Sequence, residues 1–252
     1  MSGPQLLDSL TELPRTVIEV GLLTGHWMGL VRNAPAGEPH PVMVLPGFMG
    51  GDDSTLLLRR FLTRLGYKPF PWLQGTNTGN PRQLEEAVLR FYRLQHATGR
   101  KVTLIGQSLG GVYAREIARQ FPDAVRMVIT LGSPYRATAS GSTSPVVEKL
   151  FEHMSGMTVE EMRAQVPQPE EHENLPMPAT SIYSKADGVV HWTTCIEDET
   201  DISENIRVWG SHSGMAMNPD VLRIVADRLA QDPHNWERFK PSACHRLLYP
   251  DS

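Results

Sequence analysis

The sequence predicts a doubly wound α/β fold, a mostly parallel sheet covered by helices on both faces. Two observations predict it. Apolar runs of strand length alternate with amphipathic segments of helix length from residue 41 to 134, and again from 179 to 230. Each run ends in a glycine-rich or polar loop, which is where such sheets carry their working groups. The cadence breaks at 135–178, which predicts a helical cap or lid insertion. The expected organisation is an N-terminal helical segment (1–39), a core built from 40–134 and 179–252, and the cap (135–178).

Residues 4–31 read as two amphipathic helices broken at Pro14, which starts the second; they are expected to cover the core rather than lie on a membrane. A linker, 33–39, leads to a buried strand, 41–46, and the glycine-rich stretch Gly47-Phe48-Met49-Gly50-Gly51. This stretch lacks the lysine and Ser/Thr of a P-loop and the full dinucleotide fingerprint. Its remaining use is to aim backbone N–H groups at an oxyanion. Asp53 or Ser54 is expected to cap a helix that buries Leu57, Leu58, Phe61, Leu62 and Leu65 and stops at Gly66. A strand at 67–73 follows. Asn80, Pro81 and Gln83 then open a helix that runs to Thr98 and ends at Gly99.

The next strand, 102–105, feeds Gly106-Gln107-Ser108-Leu109-Gly110, a G-x-S-x-G pentapeptide, and a helical pattern that ends before Pro122. A serine at the apex of so tight a strand-to-helix turn is held in a strained backbone conformation, and its neighbours have no room for side chains. Its hydroxyl stands clear of the sheet at a helix N-terminus, where developing negative charge is favoured. A strand at 125–131 follows. In the expected cap, Val147, Leu150, Phe151 and Met154 share a helical face, and Thr158 with Glu161 spells a capping box for a second helix through Met162 and Val166. Phe151, Met154 and Met157 offer an adaptable apolar wall for a substrate. The core resumes with a strand at 179–184 and the loop bearing Asp187. A last strand, 206–209, runs into Gly210-Ser211-His212-Ser213-Gly214, and Asn218 caps a final helix through Leu229. Trp236 and Phe239 are expected to anchor the tail.

Composition narrows the function classes. The chain has 252 residues, 40% of them hydrophobic, and a net charge of -4, with no basic excess to suit nucleic acid. No apolar run reaches membrane-spanning length. Glu19 and His26 interrupt the apolar stretch 17–31, and Asp8 and Glu12 stand where a secretory signal needs basic residues, so a cytoplasmic protein is expected. Cys195 and Cys244 have no CxxC spacing; their pairing stays open, although isolated thiols suit a reducing compartment. No HExxH or carboxylate cluster implies a metal, and no cofactor is expected.

Three residues that stand after strand ends fall in the chain order Ser108, Asp187, His212. A serine hydroxyl needs a base to take its proton, and the base needs an acid to hold its tautomer. His191 is expected in a loop hydrogen bond or pocket wall. Asp198 and Asp201 are expected in solvent, in a run with Glu197, Glu199 and Glu204. His153, His172, His234 and His245 read as surface residues.

With these pieces in place the sequence resembles the α/β-hydrolase superfamily, and within it bacterial esterase/lipase-type serine hydrolases. The resembling stretches are Leu45-Pro46-Gly47-Phe48, Leu58-Arg59-Arg60-Phe61-Leu62 with Leu65-Gly66-Tyr67, Gly106 to Gly111, Tyr183 to Val190, and Gly210 to Gly214. The resemblance implies Ser108 as nucleophile, His212 as base and then acid, Asp187 as orienting acid, and an oxyanion hole from the N–H groups of Phe48 and Leu109. Pro46-Gly47 departs from the His-Gly of many relatives; a backbone donor survives that change. The expected function is hydrolysis of a small-molecule or lipid carboxylic ester. Acyl transfer through the same triad is the alternative. A non-catalytic hydrolase fold used for binding is a third reading, and it would have been free to lose the serine, base or acid that this chain keeps.

Overall fold

A computed structural model describes residues 4, 6–35, 37–136, 143, 145–158, 161 and 174–249. Six strands form one sheet: β1 (Pro41–Leu45), β2 (Lys68–Phe70), β3 (Val102–Gln107), β4 (Val125–Leu131), β5 (Ala179–Tyr183) and β6 (Ser203–Arg207). Their order is β2-β1-β3-β4-β5-β6, and each adjacent pair is parallel. The connection therefore reverses direction between β1 and β3, and a crevice opens beyond their C-terminal ends. Leu45 pairs with Gly106 across that gap, so the loops bearing Phe48 and Ser108 leave the sheet side by side.

Both faces of the sheet are buried, and the period of two in each strand sorts the core. Val42, Val44, Ile105 and Ile129 pack with Leu23, Phe61, Leu62 and Ile224 on one face. That face is covered by α1 (Leu6–Asn33), α2 (Leu56–Arg64) and the final helix of the chain. Met43, Leu45, Leu104 and Val128 pack with Trp72, Phe91, Tyr113 and Ile117 on the other. There lie α3 (Pro81–Thr98), α4 (Leu109–Gln120) and Phe151 of α5 (Pro145–Ser155). The final helix, α6 (Pro219–Ala230), is capped as expected: Asn218 Oδ1 accepts the N–H of Asp220 at 2.8 Å.

Several local expectations are corrected. The N-terminal segment is one helix, α1, and Pro14 lies inside it. Pro14 and Leu10 are both exposed, so the carbonyl that loses its partner to the proline lies on the water side, while Glu12, Arg15 and Thr16 bind the core across the same turn. Neither Asp53 nor Ser54 caps α2. Thr55 precedes it without a side-chain cap, and the Asp52 carboxylate accepts from Trp72 and Leu73 instead. Gln83 turns its side-chain oxygen to the N–H of Thr78 rather than closing a box on Asn80. The strand expected at 67–73 shrinks to β2, and the last strand starts three residues early, at Ser203. Of the shared face of α5 only Phe151 is buried, Leu150 and Met154 being exposed. The reciprocal Thr158–Glu161 hydrogen bonds do form, whereas the helix expected beyond them lies outside the described residues.

The acidic run divides by partner. Asp198 and Asp201 are exposed, but Glu197 and Glu204 are buried, paired with Arg115 at 3.0 Å and Arg228 at 2.8 Å. A buried guanidinium removes the repulsion that favoured solvent for these two.

Candidate active site

Ser108 closes β3 and stands at the N-terminus of α4 with φ 50° and ψ −123°, a left-handed backbone for a residue with a side chain. Its neighbours explain the pentapeptide. A methyl group at Gly106 would run into the carbonyl of Gly110, and one at Gly110 into the carbonyl of Leu45. Only glycine at both positions lets α4 start so close to the sheet. The hydroxyl-bearing residue itself is half-buried, hence reachable.

The loop after β1 lies against this serine. A methyl at Gly47 would press on the Cβ of Ser108. Asn77, fully buried, holds the loop: its Nδ2 donates to the carbonyl of Pro46 at 2.9 Å, its N–H donates to Gly50, and its carbonyl accepts from Met49, both at 2.7 Å. Among the described residues, the N–H groups of Phe48 and Leu109 have no acceptor. The ring of Phe151 sits 5.3 Å from that of Phe48 and over Gly79. Met154 is exposed and Met157 half-buried.

His212 Nδ1 and Asp187 Oδ2 are 2.6 Å apart, both side chains buried. Asp187 Oδ1 accepts the N–H groups of Val189 and Val190 at 2.9 and 2.8 Å, which fixes the carboxylate. With Nδ1 donating to Asp187, the other ring nitrogen of His212 keeps its lone pair. Burial disfavours the imidazolium, but the charge and hydrogen bond of Asp187, with the charge of Glu12, outweigh it and raise the His212 pKa. Gln107 Nε2 donates to the carbonyl of His212 at 3.0 Å, so the residue before Ser108 ties the histidine loop to β3.

A sequence model of the alpha/beta hydrolase fold matches residues 66–196, just over half of the chain. The chain belongs to the α/β-hydrolase fold family. No curated protein matches it. Among solved structures, Aspergillus fumigatus lipase B is similar with a TM-score of 0.59 and 16% identity, over 81% of this chain and 57% of that one. The chain thus spans little more than half the length of that lipase. A serine hydrolase from Cycloclasticus zankles aligns with a TM-score of 0.57 and 13% identity, over 78% of this chain and 92% of that one. A monoacylglycerol lipase from Paleococcus ferrophilus gives 0.55 and 14%, over 77% and 96%. At such identities the likeness is one of fold.

Sequence reasoning missed how this α/β hydrolase holds its histidine loop. Glu12 and Glu19 of α1 are buried. Glu12 accepts the N–H groups of Gly188 and His212, both at 2.9 Å, and that of Ser213 at 3.3 Å. Glu19 accepts the N–H of Ser211 at 2.8 Å, the Ser211 hydroxyl and the Asn218 amide. Arg15 adds a bond to the carbonyl of Ala186 at 2.5 Å. Glu12 and Glu19, seven residues apart, were the available signal, since that spacing places them on one face of a helix. His191 makes the expected loop hydrogen bond, 2.7 Å to Thr193, and Cys195 is a free, buried thiol.

Proposed function

We propose that the protein is a serine hydrolase that cleaves carboxylic esters through an acyl-enzyme, with Ser108 as nucleophile, His212 as base and Asp187 as its orienting acid. The observation that carries this reading is the 2.6 Å His212–Asp187 contact on the same sheet end as a serine held at φ 50°. The lone-pair nitrogen of His212 takes the Ser108 proton as the oxygen attacks the ester carbonyl. The free N–H groups of Phe48 and Leu109 receive the oxyanion. The imidazolium then protonates the leaving alcohol, and the C–O bond breaks. Water, deprotonated by His212, attacks the acyl-enzyme and releases the acid and Ser108.

In this reading the described part of residues 135–178 belongs to a cap, and Phe151, with Met154 and Met157, walls the acyl site. A fluorophosphonate probe tests the nucleophile: labelling of the native chain that vanishes in Ser108→Ala supports the reading. Esterase turnover that survives in Ser108→Ala sinks it. A panel of acyl esters, run with and without a competing alcohol, separates hydrolysis from acyl transfer.

A further inference from the structure

Helix α1 is built inside out. Its 28 residues span about 42 Å. Asp8, Glu12, Arg15 and Glu19 are buried or half-buried against the core, which is also met by Leu23 and Leu30. The opposite side carries Leu7, Leu10, Leu13, Val17, Ile18, Leu22 and Met28, with exposures from 48% at Leu22 to 77% at Met28. These are seven of the fifteen large exposed apolar residues described, gathered on one helix. No charged residue interrupts them from Leu7 to Met28. A contiguous apolar face of this size on a surface helix is an interaction site.

Its border is cationic. A groove of about 710 Å³ runs between α1 and α2, lined by Leu23, Trp27, Met28 and Leu57 and by Arg60 and Arg64. Both arginines are exposed, and neither has an acidic partner among the described residues. Arg32 continues the positive charge at the last turn of α1. Apolar side chains flanked by unpaired guanidinium groups complement acyl chains beneath anionic headgroups. Among the described residues no helix is long and apolar enough to cross a bilayer, so the contact lies in the plane of the interface.

We propose that the outer face of α1 docks the protein on an anionic lipid surface. The inner face of the same helix binds Gly188, Ser211 and His212, so docking brings the candidate catalytic loops to the lipid boundary.

The test is co-sedimentation of the full chain with extruded phosphatidylcholine vesicles, with and without a third phosphatidylglycerol, beside sedimentation velocity of the protein alone. Native protein and Ser108→Ala should both bind the anionic vesicles, which makes the result independent of the hydrolase reading. Leu10→Glu with Val17→Glu should abolish binding while turnover of a soluble ester stays within about twofold. Should that pair misfold, Leu10→Ser with Val17→Ser serves, with at least tenfold weaker binding expected. Arg60→Glu with Arg64→Glu should weaken binding to anionic vesicles about tenfold or more and spare binding to neutral ones. No vesicle binding by the native chain overturns the proposal. So does a dimer in solution that the Leu10 and Val17 substitutions dissociate, because the face would then belong to a second copy.

Discussion

The carboxylate of Glu12 accepts the backbone N–H of His212 at 2.9 Å, and the same oxygen accepts the N–H of Gly188 at 2.9 Å. One side chain of α1 therefore bridges the loop of the candidate base and the loop of the candidate acid. The N-terminal helix is part of the site's framework rather than a cover over the core alone.

Glu12 should behave as a positioning residue with an electrostatic signature. Its charge favours the imidazolium of His212. Glu12→Gln keeps an oxygen acceptor but removes the charge, so the His212 pKa falls and the neutral base survives to lower pH. The acid limb of the kcat/KM profile should therefore move to lower pH, with kcat on the plateau changed less than about tenfold. Glu12→Ala orphans buried N–H groups at two loops and should cost about 2–4 kcal/mol of stability, with a larger fall in kcat. An acid limb unmoved in a well-folded Glu12→Gln enzyme would refute the electrostatic coupling.

The contrast between Ser108 and Glu12 shows what the sequence could and could not carry. Ser108 was legible as a candidate because much of its setting is written in adjacent residues: a methyl at Gly106 would meet the carbonyl of Gly110, four residues on. Strand alternation was legible for the same local reason. Glu12, Glu19, Glu197 and Glu204 were not, because a carboxylate is buried only when its partner is present, and those partners lie far along the chain. The continuity of α1 through Pro14 was hidden too, since contacts on both sides of the proline, not helix propensity, hold that turn.

His40 makes an acid-sensitive element at the other end of β1. Its ring lies 2.9 Å from both the Glu38 carbonyl and the Thr103 hydroxyl, edge-on to Tyr67. Burial lowers its pKa to about 4 from the usual 6.5. The unfolded chain therefore takes up this proton first as pH falls. Stability owed to neutral His40 is intact above pH 6.5 and is lost as pH drops towards 4, by at most about 3 kcal/mol. His40→Gln should flatten the slope of Tm against pH across that window. An unchanged slope would assign the acid sensitivity elsewhere.

Phe151 should set acyl specificity. Its buried ring packs on Phe48, beside the proposed oxyanion donor, and over Gly79. Phe151→Ala opens space there and should shift preference towards longer or bulkier acyl chains, at a stability cost of about 3–4 kcal/mol. Met154, 38% exposed, should change that preference less when cut to alanine. Chain-length preference measured on one ester series checks both; an unchanged preference in Phe151→Ala removes the ring from the acyl site.

The acid assignment rests on the two oxygens of Asp187 having different partners. Oδ1 accepts the N–H groups of Val189 and Val190, and Oδ2 faces His212 Nδ1. In Asp187→Asn the amide oxygen is retained by the two backbone donors, so the amide nitrogen turns towards His212. A donor at that position requires Nδ1 to accept, which moves the ring proton to the nitrogen that must take the Ser108 proton. Turnover should fall about a thousandfold or more while the fold persists. Asp198 is exposed and pairs with Arg136 at 3.2 Å. Asp198→Asn and Asp201→Asn should therefore leave turnover within about twofold. Steady-state kcat for the three variants on one soluble ester decides the matter: an active Asp187→Asn beside an inactive Asp198→Asn would move the acid down the chain.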